Sequence, residues 1–215
     1  MVPDTMDSVR IGGILLMVGC GMMPFIIVEY ILIMKAVATD ASVAERLVHS
    51  RASHHALSRG WHFEALGMAM LAAAAFCLAE GPGKAGWIVA GVGAIAVIPM
   101  YALMIGGFGA ANGLPDDQAG PLFMATRAVA TEIFVFGNLV TGAGVTLAFV
   151  LMQRGGTSIA PWIVWPALLG WGGSTLGFLA LYAGVSLPLA AAGAFALLGF
   201  VATAVFGASV AVNGL

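Results

Sequence analysis

The chain contains six long runs of apolar residues, and these constrain its fold more than any motif does. A helix that crosses the hydrocarbon core of a bilayer needs about 20 such residues. With 61% hydrophobic and 8% charged residues among 215, the chain has too much apolar surface to bury in its own interior, so lipid must cover it. We predict an all-α bundle forming a single transmembrane domain over residues 1–215, with spans at about 11–36, 62–80, 86–108, 127–152, 161–182 and 187–212.

Helices are the expected spanning elements because open strand edges cannot be accommodated in lipid and the runs lack the alternation of barrel strands. The last two runs are separated only by the short turn at 184–188. A re-entrant pair is therefore an alternative to two full spans at this end of the chain.

The polar stretch 37–61 between the first two runs contains a helix start signal. Ser42 and Glu45 have the spacing of a capping box, in which the two side chains satisfy free backbone donors. Val43, Leu47 and Val48 then form an apolar stripe. We predict a short amphipathic helix here, separate from the second span and lying at the membrane surface.

A second polar loop is predicted at 109–126. It contains Asp116 and Asp117 after a Gly-Leu-Pro turn. Two adjacent carboxylates provide too few ligands for a closed calcium site, so we interpret this stretch as a solvated turn.

The orientation prediction comes from basic residues near the span ends. Five lie on one side and three on the other: Lys35, Arg46, Arg51, Arg59 and Arg127 against Arg10, Lys84 and Arg154. This bias predicts cytoplasmic loops after the first, third and fifth spans, with both termini outside. The alanine- and glycine-rich composition favours a bacterial inner membrane, and the net charge of −2 gives no reason to expect a nucleic-acid partner.

Three glutamates fall at similar depth near the predicted cytoplasmic face. Glu29 lies late in the first run, Glu64 early in the second and Glu132 just over a turn into the fourth. A lipid-facing charge costs at least ~2.5 kcal/mol at the bilayer centre, so we expect these groups to turn inward. They predict a polar vestibule able to exchange protons, with His62 as a proton acceptor. The alternative is a set of interfacial ion pairs that fix helix depth.

Asn138 is the deepest polar candidate. Helical spacing puts it on one face of the fourth span with Thr131, Thr141 and Gly142. It would line a substrate path below Glu132 or, alternatively, form a hydrogen bond between helices.

Small residues recur at helix-contact spacing on the last two spans. Gly173 and Gly177 form a GxxxG pair, and Gly199, Thr203 and Gly207 repeat every four residues. Such faces pack helices tightly in lipid. They predict a compact bundle and leave open a homodimer or a larger membrane complex.

The sequence lacks the common motifs of enzymes and metal sites. The four histidines lack a pair at i,i+4, so no helical two-histidine ligand face forms, and there is no P-loop or HExxH motif. We predict no metal, no cofactor and a non-enzymatic role. The leading hypothesis is proton-coupled transport or permeation of a small solute. The alternatives are an accessory subunit of a membrane complex and a membrane enzyme acting on lipid.

Overall fold

The computed structural model describes residues 5–34, 37, 40–157, 159–185 and 189–215, without the side chains of 5–7, 34, 189 and 190. Within these ranges the chain forms six α-helices: α1 Thr5–Met34, α2 Val43–Leu78, α3 Lys84–Asn112, α4 Asp116–Arg154, α5 Pro161–Tyr182 and α6 Leu189–Asn213. Each helix contains a stretch long and apolar enough to cross a bilayer. The all-α prediction with six candidate spans is confirmed.

The helix boundaries extend the predicted spans at several ends. Residues 35–36 of the first predicted span and 187–188 of the last lie outside the described residues. The fifth span, 161–182, coincides with α5. Because α5 and the described part of α6 are each long enough to cross the membrane, the structure favours two full spans over a re-entrant pair.

The separate amphipathic helix predicted in the first loop is wrong. A helix does begin at the capping box, where Ser42 Oγ accepts from the Glu45 amide and Glu45 Oε2 accepts from the Ser42 amide at 2.7 Å. It then continues without interruption to Leu78. The single Gly60 costs only ~1 kcal/mol in a helix, and burial of Leu57 and Trp61 offsets that cost.

The acidic stretch predicted as a solvated turn begins α4 instead. Asp116 and Asp117 occupy its first turn, where the positive end of the helix dipole stabilises their negative charge. Asp116 also pairs with Arg51 at 2.7 Å. Arg51 additionally donates to the carbonyls of Asn112 and Leu114, so α2 holds the α3–α4 turn.

The helices form a closed ring. Each one packs antiparallel against the next along the chain, and α6 returns to pack against α1. With 36 and 39 residues, α2 and α4 are ~54 and ~58 Å long, well beyond the ~30 Å hydrocarbon core. One end of the ring carries Glu29 and Glu64 and is called here the Glu64 end; the opposite end carries Trp87.

Aromatic side chains fill the interior at the Trp87 end. Trp87 of α3, Phe149 of α4 and Phe206 of α6 are fully or almost fully buried. Their ring centroids are separated by 6.1 Å for Trp87–Phe149, 6.0 Å for Trp87–Phe206 and 5.0 Å for Phe149–Phe206. These contacts join three helices across the middle of the ring.

Glycine lets neighbouring backbones touch. A methyl group added at Gly86 would overlap Ala148 on α4, and one added at Gly144 would overlap Ala90 on α3. The predicted GxxxG face packs inside the chain in the same way, because Gly173 and Gly177 lie against Phe195 and Ala192 of α6. The small-residue faces are therefore contacts within this bundle.

Candidate functional site

The Glu64 end contains a small cleft between α1 and α2. Its volume is about 10 Å³, close to the space that a single water molecule needs. Both Glu29 and Glu64 line it, and the antiparallel packing of the two helices brings them together. The full lining is Ile26, Glu29, Tyr30, Ile33, Ala56, Leu57, Gly60, Trp61 and Glu64.

Glu29 is neutralised by a charged partner. Arg59 Nη2 donates to Glu29 Oε1, and the two side chains are 54% and 40% exposed, respectively. Arg59 comes directly before Gly60, which lines the cleft. This pair corresponds to the interfacial ion pair that the sequence left as the alternative interpretation for its carboxylates.

Glu64 has different surroundings. It is half-buried, and among the described side chains it has neither an ion-pair nor a hydrogen-bond partner. Its charge lies within electrostatic range of the hydroxyl groups of Tyr30 on α1 and Tyr101 on α3. The Glu64 carboxyl thus shares its cleft with Glu29, Tyr30 and apolar side chains, and Arg127 of α4 is also within electrostatic range of Tyr30.

Glu132 does not join the two other glutamates. The cleft is lined only by residues of α1 and α2, whereas Glu132 lies on the exposed face of α4 beside Thr131. The structure therefore brings together two of the three carboxylates that we expected to converge.

His62 and Asn138 are also outside the cleft lining. His62 is exposed, and its Nδ1 lies 2.7 Å from the carbonyl oxygen of Ser58 one turn earlier. Asn138 is only 6% exposed, and its amide donates to the Phe134 carbonyl at 2.9 Å. That hydrogen bond lies within α4, whereas the sequence-based alternative was a bond between helices.

The hydroxyls near Asn138 follow the same pattern. Thr141 is fully buried and donates to the Gly137 carbonyl at 2.8 Å, and it lies where a methyl group on Gly93 of α3 would be placed. This face of α4 therefore packs directly against α3.

Sequence reasoning missed the contribution of Tyr101. Hydropathy gives this residue the same weight as any other residue of an apolar span, and its proximity to Glu64 depends on how α3 packs against α2. The described residues contain no group of three or more His, Cys, Asp or Glu side chains that could hold a metal ion.

Comparisons with protein-family models, with curated proteins and with solved structures find no match to this chain. We therefore derive the chemistry of the cleft from its own side chains. Glu29 has a fixed counter-charge and Glu64 does not, so the two carboxyls of this cleft can have different chemical roles.

Proposed function

We propose that this chain is a membrane protein that binds and releases a proton at Glu64 and couples this exchange to the movement of a small solute across the bilayer. The observation that carries the proposal is the difference between the two carboxyls of one cleft. Arg59 pairs with Glu29, while Glu64 has no such partner among the described side chains. The cleft beside them has room for about one water molecule.

The chemistry follows from the cost of charge in a low-dielectric environment. A carboxylate there must be paired, hydrogen-bonded or protonated. The guanidinium of Arg59 meets this requirement for Glu29. For Glu64, a proton delivered from the aqueous phase through water in the cleft would meet it, and release of that proton by the same route would restore the charge.

Aromatic side chains pack the interior at the Glu64 end, where Trp61 contacts Phe108 and Phe108 contacts Phe123. Trp87, Phe149 and Phe206 contact one another across the opposite end of the ring. Transporters expose a central site alternately to the two faces of the membrane, so in this proposal one aromatic group separates to open the site while the other stays packed. The excess of basic residues at the Glu64 end favours the cytoplasm as the compartment that this end faces.

The other two functions considered from the sequence draw less support from these contacts. The accessory-subunit hypothesis depended on small-residue faces, and those at Gly173 and Gly177 pack α5 on α6. The lipid-enzyme and transport hypotheses both used the three glutamates; because Glu132 lies on an exposed face outside the cleft, the present proposal rests on Glu29 and Glu64 alone.

Proton exchange is tested directly by infrared difference spectroscopy of the purified protein across a pH titration. We expect a carboxylic C=O band that Glu64→Gln removes. Glu132→Gln is the matched control, because it deletes a carboxyl outside the cleft, and it should keep the band. A band that persists in Glu64→Gln would contradict the assignment to this residue.

Proton movement through the protein is tested in proteoliposomes that contain a pH-sensitive dye and carry an imposed potassium diffusion potential. The wild-type protein should acidify or alkalinise the lumen according to the sign of the potential, and Glu64→Gln should reduce this flux to the rate of protein-free liposomes. Glu132→Gln should retain it. An unchanged flux in folded Glu64→Gln would overturn the proposal.

A further inference from the structure

An open groove lies between the end of α4 and the start of α5, at the Trp87 end and away from the Glu64 cleft. Its volume is about 280 Å³. Five of the seven residues that line it are apolar. The lining consists of Val150, Gln153, Arg154, Pro161, Val164, Trp165 and Leu168.

The polar and apolar parts of the groove are separated along its length. Gln153 and Arg154 are exposed and lie in the last turn of α4, whereas Val150 and Leu168 lie one to two turns deeper on their helices. Trp165 is 69% exposed beside the groove, and tryptophan collects at headgroup depth. The groove thus begins at the membrane–water interface and runs toward the hydrocarbon core.

The charge at its outer end is not compensated. In the part of the chain that the structure describes, Arg154 forms no ion pair, and the groove lining contains no carboxylate. A guanidinium presents several donors in a planar fork that matches phosphate oxygens. An anion at the interface would complement this end.

We propose that this groove binds an anionic phospholipid, with its phosphate at Arg154 and Gln153 and part of one acyl chain along Val150, Val164 and Leu168. The volume is slightly below that of a pocket for a drug-sized ligand, so it accommodates part of a chain rather than a whole lipid. A zwitterionic lipid is disfavoured because the lining offers its cationic headgroup no counter-charge. This site is independent of the proton exchange proposed at Glu64.

The test measures lipid retention by native mass spectrometry after extraction from bilayers of equal parts phosphatidylglycerol and phosphatidylcholine. The wild-type protein should retain phosphatidylglycerol preferentially. Arg154→Gln should lower that retention by about tenfold, the factor expected for losing a charge-assisted contact worth at least 1.4 kcal/mol. Arg10→Gln removes an exposed arginine at the same end of the bundle and should leave retention unchanged.

A second variant tests the apolar part of the groove without changing charge. Leu168→Trp would fill the groove and should also displace phosphatidylglycerol. Equal retention of the two lipids, or equal losses in Arg154→Gln and Arg10→Gln, would overturn the proposal. It would also be overturned if Leu168→Trp dissociated a dimer while lipid retention stayed the same, because the groove would then hold a second copy of the chain.

Discussion

The α3–α4 interface and the α1–α2 interface both use glycine, but only the first is closed at each of its central glycines. On α3 and α4, methyl groups added at Gly86, Gly93, Gly137 and Gly144 would all overlap atoms of the facing helix. Between α1 and α2, Gly67 lies close to Gly19, but a methyl group at Gly60 would meet nothing nearer than Ile26 at 3.9 Å. The two helices have begun to separate at Gly60.

The difference shows that glycine-mediated packing can produce both a tightly closed helix interface and a polar cleft. Where backbones touch, helix packing in lipid gains from close van der Waals contact, no cleft remains, and the Thr141 hydroxyl at this interface donates within its own helix. Where the two backbones no longer touch, at Gly60, the interface leaves room for the cleft that holds Glu29 and Glu64. The closed interface and the open one can be perturbed separately.

The largest effect is expected at the closed interface. Gly144→Ala places a methyl group on the Ala90 backbone, and backbone cannot rotate away as a side chain can. We expect a loss of ~1–3 kcal/mol or more in the free energy of unfolding, measured by thermal or denaturant unfolding in mild detergent.

Its matched control is Gly106→Ala on α3, where an added methyl group meets nothing within 4 Å. That variant should be neutral or gain up to ~1 kcal/mol, because alanine favours the helix over glycine. Equal stability of the two variants would break the comparison, since the α3–α4 contact would then not depend on glycine.

An intermediate effect is expected where the α1–α2 interface is still closed. Gly67→Ala would press on the Met23 side chain and on the Gly19 carbonyl. Because methionine can change rotamer, we expect a loss of about 1 kcal/mol, at the low end of overpacking costs.

Gly60→Ala, two turns earlier on the same face of α2, provides the contrast for the Gly67 variant. We expect it to leave the unfolding midpoint unchanged or raise it slightly. A larger loss from Gly60→Ala than from Gly67→Ala would mean that the helices do not separate at Gly60.

The smallest effect is expected from the ion pair at the cleft. Glu29→Gln removes the carboxylate bound by Arg59, and both side chains are at least 40% exposed. Exposed ion pairs contribute only ~0–1 kcal/mol, so we expect a change in that range that shrinks as salt is added.

Glu132→Gln is the control for the ion-pair prediction, because its carboxyl lies on an exposed face. It should not show the same salt dependence. A salt-insensitive loss of several kcal/mol in Glu29→Gln would indicate that the pair is buried, and the cleft would then belong to the closed part of the interface.

The sequence predicted the spans well but not the polar segments between them. Apolar continuity is a local property, and it identified α5 at its observed ends, 161–182. The prediction failed at Gly60 and at Asp116, where polar residues belong to helices that continue beyond the bilayer. Buried contacts such as that of Trp61 with Phe108, with ring centroids 5.5 Å apart, stabilise that continuation, and they join residues far apart in the chain.

The candidate site was predictable in depth but not in rotation. Counting residues placed Glu29, Glu64 and Glu132 in the same layer. It could not show that Glu132 lies on an exposed face or that Tyr101 lies near Glu64. Each residue of a helix is rotated by 100° from the one before it, so residues at the same depth can face in different directions.

The apolar runs alone determined that the chain has six candidate membrane-spanning helices, since every backbone polar group in lipid must be satisfied within its own segment. Only the tertiary structure decided which carboxyl is paired and which is not. Arg59 and Glu29 come from different helices, and their contact depends on where α1 and α2 separate. The glycines that control this separation act through the atoms of the facing helix, and hydropathy along one helix contains no information about them.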